Sequence, residues 1–396
     1  MRRRPVYIAV LAIAVIALML AVLTLYAGSR KAPAARSAAS APADVEQTLS
    51  PLAAGKNCAV FAAYSADGTV SDYVIDYLRA LKEIAPNIVY VTDNPIPESE
   101  IAKLRPYVNH LIARRHGEYD WGSYKRGFAW LKRQNALPSR PAAASGIPSR
   151  AAIVPAPASD ITAAASGIPP RAATVPAPAS DTAAAASLSS SAPVPHTASA
   201  PQPPSSVQAG STAPQATAPL LILANDSSLL VAPSLRPVLQ ASQTAGADIF
   251  GITANADGIY HLQSYFLIIA PQVYNTSEFA AYLNAVRPEK DGLTVAARYE
   301  VPFTAYFAGL GFTSAAYIPY EKLSWLPLND KNCYPLTLLG KYHAPFLKMR
   351  TFTSRLNVQE PRRLVFAWLK KHVPGAYARL LQHLQKINSP YLKEDR

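Results

Sequence analysis

The chain has 396 residues, a formal net charge of +13, 36 prolines and two cysteines. This length is enough for two domains, and two cysteines are too few for a framework of disulfide bonds. The excess positive charge lies mainly in residues 1–37 and 341–396, outside a nearly neutral core. This distribution argues against a nucleic-acid groove and for chain ends that lie against anionic lipid.

The N-terminus predicts a membrane anchor. Residues 7–27 contain no charged side chain, and a helix needs about 20 apolar residues to cross a bilayer. The apolar core of a cleaved signal peptide is shorter, about 7–15 residues. We therefore expect an uncleaved transmembrane helix within residues 1–37, followed by a linker over residues 38–56. Basic residues on both sides of the segment leave its orientation open.

The next part of the chain alternates between strand and helix patterns. Apolar runs predict strands at 58–64, 88–91 and 108–113, separated by a helix after Ser71 and another at 97–104. A further helix is predicted at 124–134. Such alternation indicates right-handed crossovers and a parallel sheet, so residues 57–137 form the first half of an α/β domain.

The middle of the chain predicts a disordered insert. Residues 138–218 are mostly Ala, Pro, Ser and Thr, which cannot bury enough apolar surface to offset the entropy of ordering. Within them, residues 142–160 recur almost unchanged as 163–181, which indicates a tandem duplication in a spacer.

The sheet is expected to resume in residues 219–340. Strands are predicted at 220–224, 249–253 and 263–270, and a helix at 277–287. Ligands of open α/β sheets bind beyond the carboxyl ends of the strands, so Asp120, Asp226 and Thr253 are expected to face one cleft.

Residues 341–396 predict a basic, amphipathic helical tail. An apolar stripe with basic flanks is typical of a helix at a membrane surface, and packing against the core explains the apolar residues equally well. The stripe consists of Leu364, Val365, Trp368 and Leu369.

Four polar blocks interrupt the apolar pattern. They are Arg114-Arg115-His116-Gly117-Glu118-Tyr119-Asp120-Trp121-Gly122-Ser123-Tyr124-Lys125-Arg126-Gly127, Asn225-Asp226-Ser227, His261-Leu262-Gln263-Ser264-Tyr265-Phe266, and Tyr299-Glu300. These blocks resemble the rhamnan synthesis protein F family of bacterial surface polysaccharide assembly. The resemblance covers roughly residues 57–137 and 219–320. It departs from the family pattern at Arg115, His116, Glu118 and Trp121.

The resemblance implies a GT-A-like fold, with a mostly parallel sheet flanked by helices, and a glycosyltransferase activity. The expected enzyme moves rhamnose or a related hexose from a nucleotide-diphosphate donor to a surface polysaccharide or its lipid-linked precursor. Nucleotide sugars are made in the cytoplasm, so the expected location is the bacterial inner membrane with the catalytic domain in the cytoplasm. The alternative is a catalytically inactive protein that binds glycan or scaffolds an assembly complex.

Sugar transfer requires groups that neutralise the leaving diphosphate. The expected donor-binding residues are Arg114, Asp120, Lys125, Asn225, Asp226 and Ser227. Asp226 is a candidate ligand for Mg²⁺ or Mn²⁺, which prefer oxygen donors. Two structural alternatives stay open: Asn225 and Asp226 shape a turn, or Arg114 and Arg115 pair with nearby acids.

The acceptor hydroxyl must lose a proton, and the resemblance places the general base at Glu300. The alternative is an ion pair between Glu300 and Arg298. His261 and Gln263 are predicted to open a strand on one face and to bind acceptor hydroxyls, although a lone histidine is more often structural.

Overall fold

The computed structural model describes residues 43–137, 218–257, 259–353 and 357–395. The predicted membrane segment at 7–27 lies outside these ranges, as does the predicted insert up to residue 217. Among the helices of the described ranges, none has both the length and the apolarity needed to cross a bilayer.

The first half of the domain alternates between strand and helix, as expected. Its elements are β1 (Val45–Thr48), β2 (Cys58–Ala63), α1 (Asp72–Ile84), β3 (Asn87–Thr92), α2 (Glu98–Leu104), β4 (His110–Ala113) and α3 (Tyr119–Arg133). Every residue of β2, β3 and β4 is buried, which explains the continuous apolar runs. β1 lies in the range predicted as a linker, so that prediction is wrong for this segment.

The second half begins with two strands joined by a tight turn and continues through a mixed series. Its elements are β5 (Leu221–Asn225), β6 (Ser228–Leu230), α4 (Arg236–Ala245), β7 (Ile249–Asp257), β8 (Ile259–Leu262), β9 (Phe266–Ile269), α5 (Pro271–Tyr274), α6 (Ser277–Asn284), α7 (Gly292–Val295), a π-helical turn (Ala296–Glu300), α8 (Val301–Gly309), β10 (Ser314–Ile318) and α9 (Tyr320–Leu323).

The C-terminal part contains one more strand and two longer helices. Its elements are a 3₁₀ turn (Lys331–Cys333), a π-helical turn (Thr337–Lys341), β11 (Phe346–Lys348), α10 (Arg350–Thr353), α11 (Arg362–His372), α12 (Pro374–Lys386) and a final 3₁₀ turn (Pro390–Asp395).

Within the described ranges, nine strands form one sheet. Eight of them follow the order β1-β4-β3-β2-β5-β9-β7-β10, and β8 pairs with β7. The strands β4, β3, β2 and β5 run parallel, β9 runs antiparallel to both of its neighbours, and β1 is antiparallel at the edge. β6 and β11 form a separate antiparallel pair. The mixed α/β fold with a mostly parallel central sheet is confirmed.

Helices cover both faces of the sheet, and alternate residues of β2 point into two different cores. Phe61 belongs to the core that includes α1 and the C-terminal helices, whereas Val60 belongs to the core that includes α3, α6 and α8. The approach of α3 to β2 is so close that a Cβ on Gly127 would collide with both methyl groups of Val60. A glycine is therefore required at this position of the helix.

The C-terminal helices are part of the domain. Val365 and Leu369 of α11 are fully buried in the core, so packing accounts for the apolar stripe and the interfacial interpretation of these two residues is wrong. Arg379 of α12 forms ion pairs at 3.0 Å with both Asp72 and Asp76 of α1. The tail thus closes over one face of the sheet.

Two sequence predictions in the second half need correction. The strand predicted at 263–270 is β9, which starts only at Phe266 because residues 263–265 turn the chain. Thr253 lies within β7 and is buried; its hydroxyl is 2.7 Å from Gln263 Oε1 and 3.0 Å from the Tyr265 hydroxyl. Thr253 therefore does not face the cleft.

The chain leaves and re-enters the domain at neighbouring points, and this makes the insert removable. The thiol of Cys58 lies 3.7 Å from the Ala136 carbonyl, and the Cys58 N–H donates to the Leu220 carbonyl at 2.9 Å. We expect that joining Leu137 to Pro219 through a short Gly/Ser linker will shift the unfolding temperature by less than about 2 °C. Differential scanning calorimetry measures this shift.

Leu137→Ser in the same shortened chain is the control, because Leu137 is buried and its replacement should lower the unfolding temperature clearly. A broad or strongly lowered transition after deletion alone would show that the insert contributes to the folded core.

Candidate active site

One cavity of about 550 Å³ opens where the parallel strands end. Tyr64 follows β2, Asp93 follows β3, Arg115 lies two residues beyond β4, and Asp226 follows β5. All four line the cavity. This is the position at which open α/β sheets bind ligands, because the strand ends leave a crevice between the loops that follow them.

The turn between β5 and β6 forms one wall. Asn225 Oδ1 accepts from the Ser227 N–H at 3.2 Å and from its hydroxyl at 2.5 Å, so Asn225 shapes an Asx turn. The turn interpretation is therefore correct for Asn225. The same geometry turns Asp226 into the cavity wall, where its Oδ2 accepts from the Tyr64 N–H at 2.8 Å.

Asp120 lies beside this turn, at the start of α3. Its Oδ2 accepts from Asn225 Nδ2 at 2.9 Å, and its Oδ1 accepts from the Trp121 N–H at 3.0 Å. Burial and the negative charge of Glu300 raise the pKa of Asp120 to about 6. Burial also raises the pKa of Asp226, to about 7. The cavity therefore holds carboxyl groups that titrate near neutral pH.

Glu300 comes from a later segment, at the end of the π-helical turn, and lines the same cavity. Pro302 has no N–H with which to continue an α-helix, and the Val301 N–H instead donates to the carbonyl of Ala296, five residues back. Both carboxylate oxygens of Glu300 accept from Ser264, at 3.2 Å from the N–H and 2.9 Å from the hydroxyl. The expected alternative pair with Arg298 is not formed, because Arg298 contacts Glu289 at 2.8 Å.

Two cations reach the cavity from the short strand β11 and the start of α10. Lys348 Nζ donates to the Ser227 hydroxyl at 2.6 Å and lies 4.5 Å from the centre of the Tyr265 ring. Burial, with the nearby Arg350 charge, lowers the pKa of Lys348 to about 8. Arg350 also lines the cavity and forms an ion pair with Asp330. Sequence reasoning missed both cations.

The loops after β2, β3 and β4 bring an aromatic ring, a carboxylate and a guanidinium to the cavity. The Arg115 guanidinium lies 5.4 Å from the centre of the Tyr64 ring, which is half exposed. Asp93 Oδ1 accepts from the backbone N–H groups of His116 and Gly117 at 2.6 and 2.9 Å. Tyr64 and Asp93 were also missed, although Tyr64 ends one predicted strand and Asp93 lies two residues beyond another.

The structure brings together only part of the predicted site. Asp120, Asn225, Asp226, Ser227, Gln263 and Glu300 line the cavity. Gln263 Oε1 accepts from the side chains of Thr253 and Asn332, at 2.7 and 2.9 Å. The roles of these residues in donor or acceptor binding stay predictions.

Three predicted residues, Arg114, Lys125 and His261, are not among those that line the cavity. Arg114 lies 3.7 Å from Glu46 of β1. His261 is buried in β8, with Nδ1 3.0 Å from the Ile259 carbonyl, so its environment fits the structural alternative.

Lys125 fails to reach the cavity because of helical geometry. It follows Asp120 by five residues, which places the two side chains on different faces of α3. Its ammonium contacts Glu118 at 2.7 Å and the Val286 carbonyl at 2.9 Å, and Glu118 also pairs with Arg126. An ion-paired cluster is thus present, as the alternative predicted. Its cations are Lys125 and Arg126, not Arg114 and Arg115.

A family model described as rhamnan synthesis protein F matches residues 225–394. The resemblance to that family is confirmed over this range. The range starts at the Asx turn and includes Glu300, Lys348 and both C-terminal helices, whereas the predicted resemblance ended near residue 320. Residues 57–137 lie outside the range matched to rhamnan synthesis protein F.

The match indicates involvement in the synthesis of rhamnan or a related polysaccharide. No curated protein and no solved structure matches the chain significantly.

The raised pKa of Asp120 predicts a pH-dependent effect on stability. The folded-state pKa of about 6 exceeds that of an unfolded aspartate, about 3.9, so Asp120 stabilises the fold when protonated. This contribution is present in full below about pH 4 and is lost as the pH rises through about 6. Asp120→Asn should therefore gain roughly 1 kcal/mol of unfolding free energy relative to wild type between pH 5 and pH 8.

Urea unfolding at both pH values measures this difference. Asp44→Asn, at an exposed position just before β1, is the control for a general loss of charge. A constant difference between Asp120→Asn and wild type across the pH range would contradict the desolvation of Asp120.

Proposed function

We propose that the chain is a glycosyltransferase that moves a sugar from a nucleoside-diphosphate donor to a glycan acceptor. The observation that carries this proposal is the meeting of Asp226, Glu300 and Lys348 in one cavity at the carboxyl ends of the parallel strands. A cation suits the leaving diphosphate, and a carboxylate suits the acceptor hydroxyl. The two charges come from different elements, Lys348 from β11 and Glu300 from the π-helical turn.

The proposed step breaks the bond between the anomeric carbon and a diphosphate oxygen, and the electron pair stays on that oxygen. The acceptor hydroxyl oxygen forms the new bond to the anomeric carbon, and its proton passes to the Glu300 carboxylate. The two hydrogen bonds from Ser264 hold Glu300 in place for this task. The products are a nucleoside diphosphate, the glycoside and a proton that Glu300 releases to solvent.

We assign the donor to the wall that contains the Asx turn. Asp120, Asn225, Asp226 and Ser227 line this wall and remain the proposed donor contacts. The GT-A-like fold is part of the same proposal; the parallel strands β4-β3-β2-β5 and the cavity at their ends support it. Gln263 lies towards Glu300 and is the proposed acceptor contact.

The family match supports a proposal for the sugar and the acceptor. Rhamnose or a related hexose is the proposed sugar, and a surface polysaccharide or its lipid-linked precursor is the proposed acceptor. Attachment to the inner membrane through residues 7–27, with the catalytic domain in the cytoplasm, rests on the sequence alone.

Calorimetric titration of the purified full-length chain with UDP, dTDP and GDP tests the proposed function. The titrations are run in EDTA and again with Mg²⁺ or Mn²⁺. Saturable binding of one nucleotide in either condition is the expected result. No binding of any nucleotide would contradict transfer and would favour a glycan-binding or scaffolding protein.

Substitutions of Glu300 and Asp226 should affect different properties of the enzyme. Glu300→Gln should keep nucleotide affinity but lower turnover by about 10²–10⁴-fold, because it removes general-base catalysis. Asp226→Asn should change nucleotide affinity, because Asp226 lies on the donor wall.

Glu321→Gln is the matched control, since Glu321 is exposed on α9. The nucleotide titration and a transfer assay give the two readouts. Full transfer activity in Glu300→Gln would remove this residue from the mechanism, and equal loss of nucleotide affinity in both variants would overturn the separate assignments.

A further inference from the structure

We infer that Lys348 of β11, together with Arg350, binds the donor diphosphate and stabilises it as it leaves, the task that the resemblance gives to a divalent cation at Asp226. This inference rests on the proposed function. It adds two binding residues, and it makes donor binding independent of metal.

The fold holds Lys348 against the Asx turn. β11 pairs with β6 in antiparallel register, with Lys348 opposite Ser228, and the Met349 N–H donates to the Ser227 carbonyl at 2.9 Å. Because β6 follows the turn directly, this pairing places the Lys348 ammonium at the donor wall. Its position is fixed by backbone hydrogen bonds on one side and by the Tyr265 ring at 4.5 Å on the other.

The ammonium of Lys348 has capacity to bind an anion. Its hydrogen bond at 2.6 Å goes to the neutral hydroxyl of Ser227, and an ammonium has three N–H donors. Asp120, Glu300 and Asp330 act on Lys348 through their charges, and Lys348 acts in the same way on Asp226. These acids keep a cation favourable at this point of the cavity.

Arg350 supplies a second positive charge at the same wall. It lines the cavity with Lys348 and is held by Asp330. Together the two side chains carry the charge of one divalent cation, and hydrogen bonds from charged groups to phosphate oxygens are stronger than neutral ones. Two fixed cations can therefore replace an ion in neutralising a diphosphate.

The oxygen atoms around Asp226 fit a divalent cation poorly. Mg²⁺ requires near-octahedral coordination by oxygen atoms. Here Asp226 Oδ2 accepts from Tyr64, Asn225 Oδ1 accepts two hydrogen bonds from Ser227, and the Asn225 amide directs its NH₂ group at Asp120. The remaining hydroxyl of the turn, that of Ser227, already accepts from the Lys348 ammonium. In the described part of the chain, no cluster of three or more His, Cys, Asp or Glu could complete a metal site.

Titration of the full-length chain with inorganic pyrophosphate tests this inference without knowledge of the base or sugar. Wild type should bind pyrophosphate in EDTA, and Lys348→Met should weaken binding roughly 10- to 100-fold, because a charge-assisted hydrogen bond is lost. Lys348→Arg should recover part of the affinity. Lys370→Met, at an exposed position of α11, should bind as wild type does.

Pyrophosphate binding that requires Mn²⁺, or unchanged affinity in a folded Lys348→Met variant, would overturn the inference. If Lys348→Met does not fold, the comparison of wild type in EDTA and in Mn²⁺ still decides. Nucleotide binding that appears only with metal would refute this inference and leave the proposed function intact. Failure of both pyrophosphate and nucleotides to bind in either condition would refute both.

Discussion

The structure depends on one electrostatic constraint, the burial of several carboxylates where the parallel strands end. Removing a carboxylate from water is costly unless opposite charge or hydrogen bonds compensate. At Asp120 and Asp226 this cost is only partly compensated. Burial raises the pKa of Asp120 to about 6 and that of Asp226 to about 7. The Lys348 charge offsets part of this cost, while burial and the Arg350 charge lower the pKa of Lys348 itself. The charges that line the cavity are therefore not fully compensated by one another, and this favours the binding of a charged ligand.

The same constraint explains why the C-terminal region belongs to the domain. Lys348 reaches the cavity only because β11 pairs with β6, and this pair lies under α11 and α12. The ion pairs from Arg379 to α1 tie that cover to the first half of the sheet. Loss of the tail would therefore remove both a cation and the packing that holds it. The family match, which continues to residue 394, includes all of these elements.

The sequence predicted the parallel strands well, because their buried apolar runs are local signals. Sequence reasoning also selected Asp120, Asp226 and Glu300 as site residues. A charged residue just after a strand, or within an apolar stretch, is easily recognised. Lys348 carries the same signal in Phe346-Leu347-Lys348-Met349 but escaped notice, because its partner strand β6 lies more than a hundred residues earlier. The edge strand β1, Val-Glu-Gln-Thr, contains a single apolar residue and was mistaken for a linker. The choice of Arg114 in place of Arg115 shows a different limit, because a shift of one residue reverses the direction of a side chain along an extended chain.

The central claim is that the donor diphosphate lies between the Asx turn and β11. A crystal structure of the full-length chain with bound UDP, or with whichever nucleotide binds, tests this most directly. The account predicts phosphate oxygens at about 2.7–3.2 Å from Lys348 Nζ, beside Ser227 and Asp226. Phosphate groups that lie away from Lys348, against Asp67, His383 and Lys386 in the neighbouring cavity, would contradict the account.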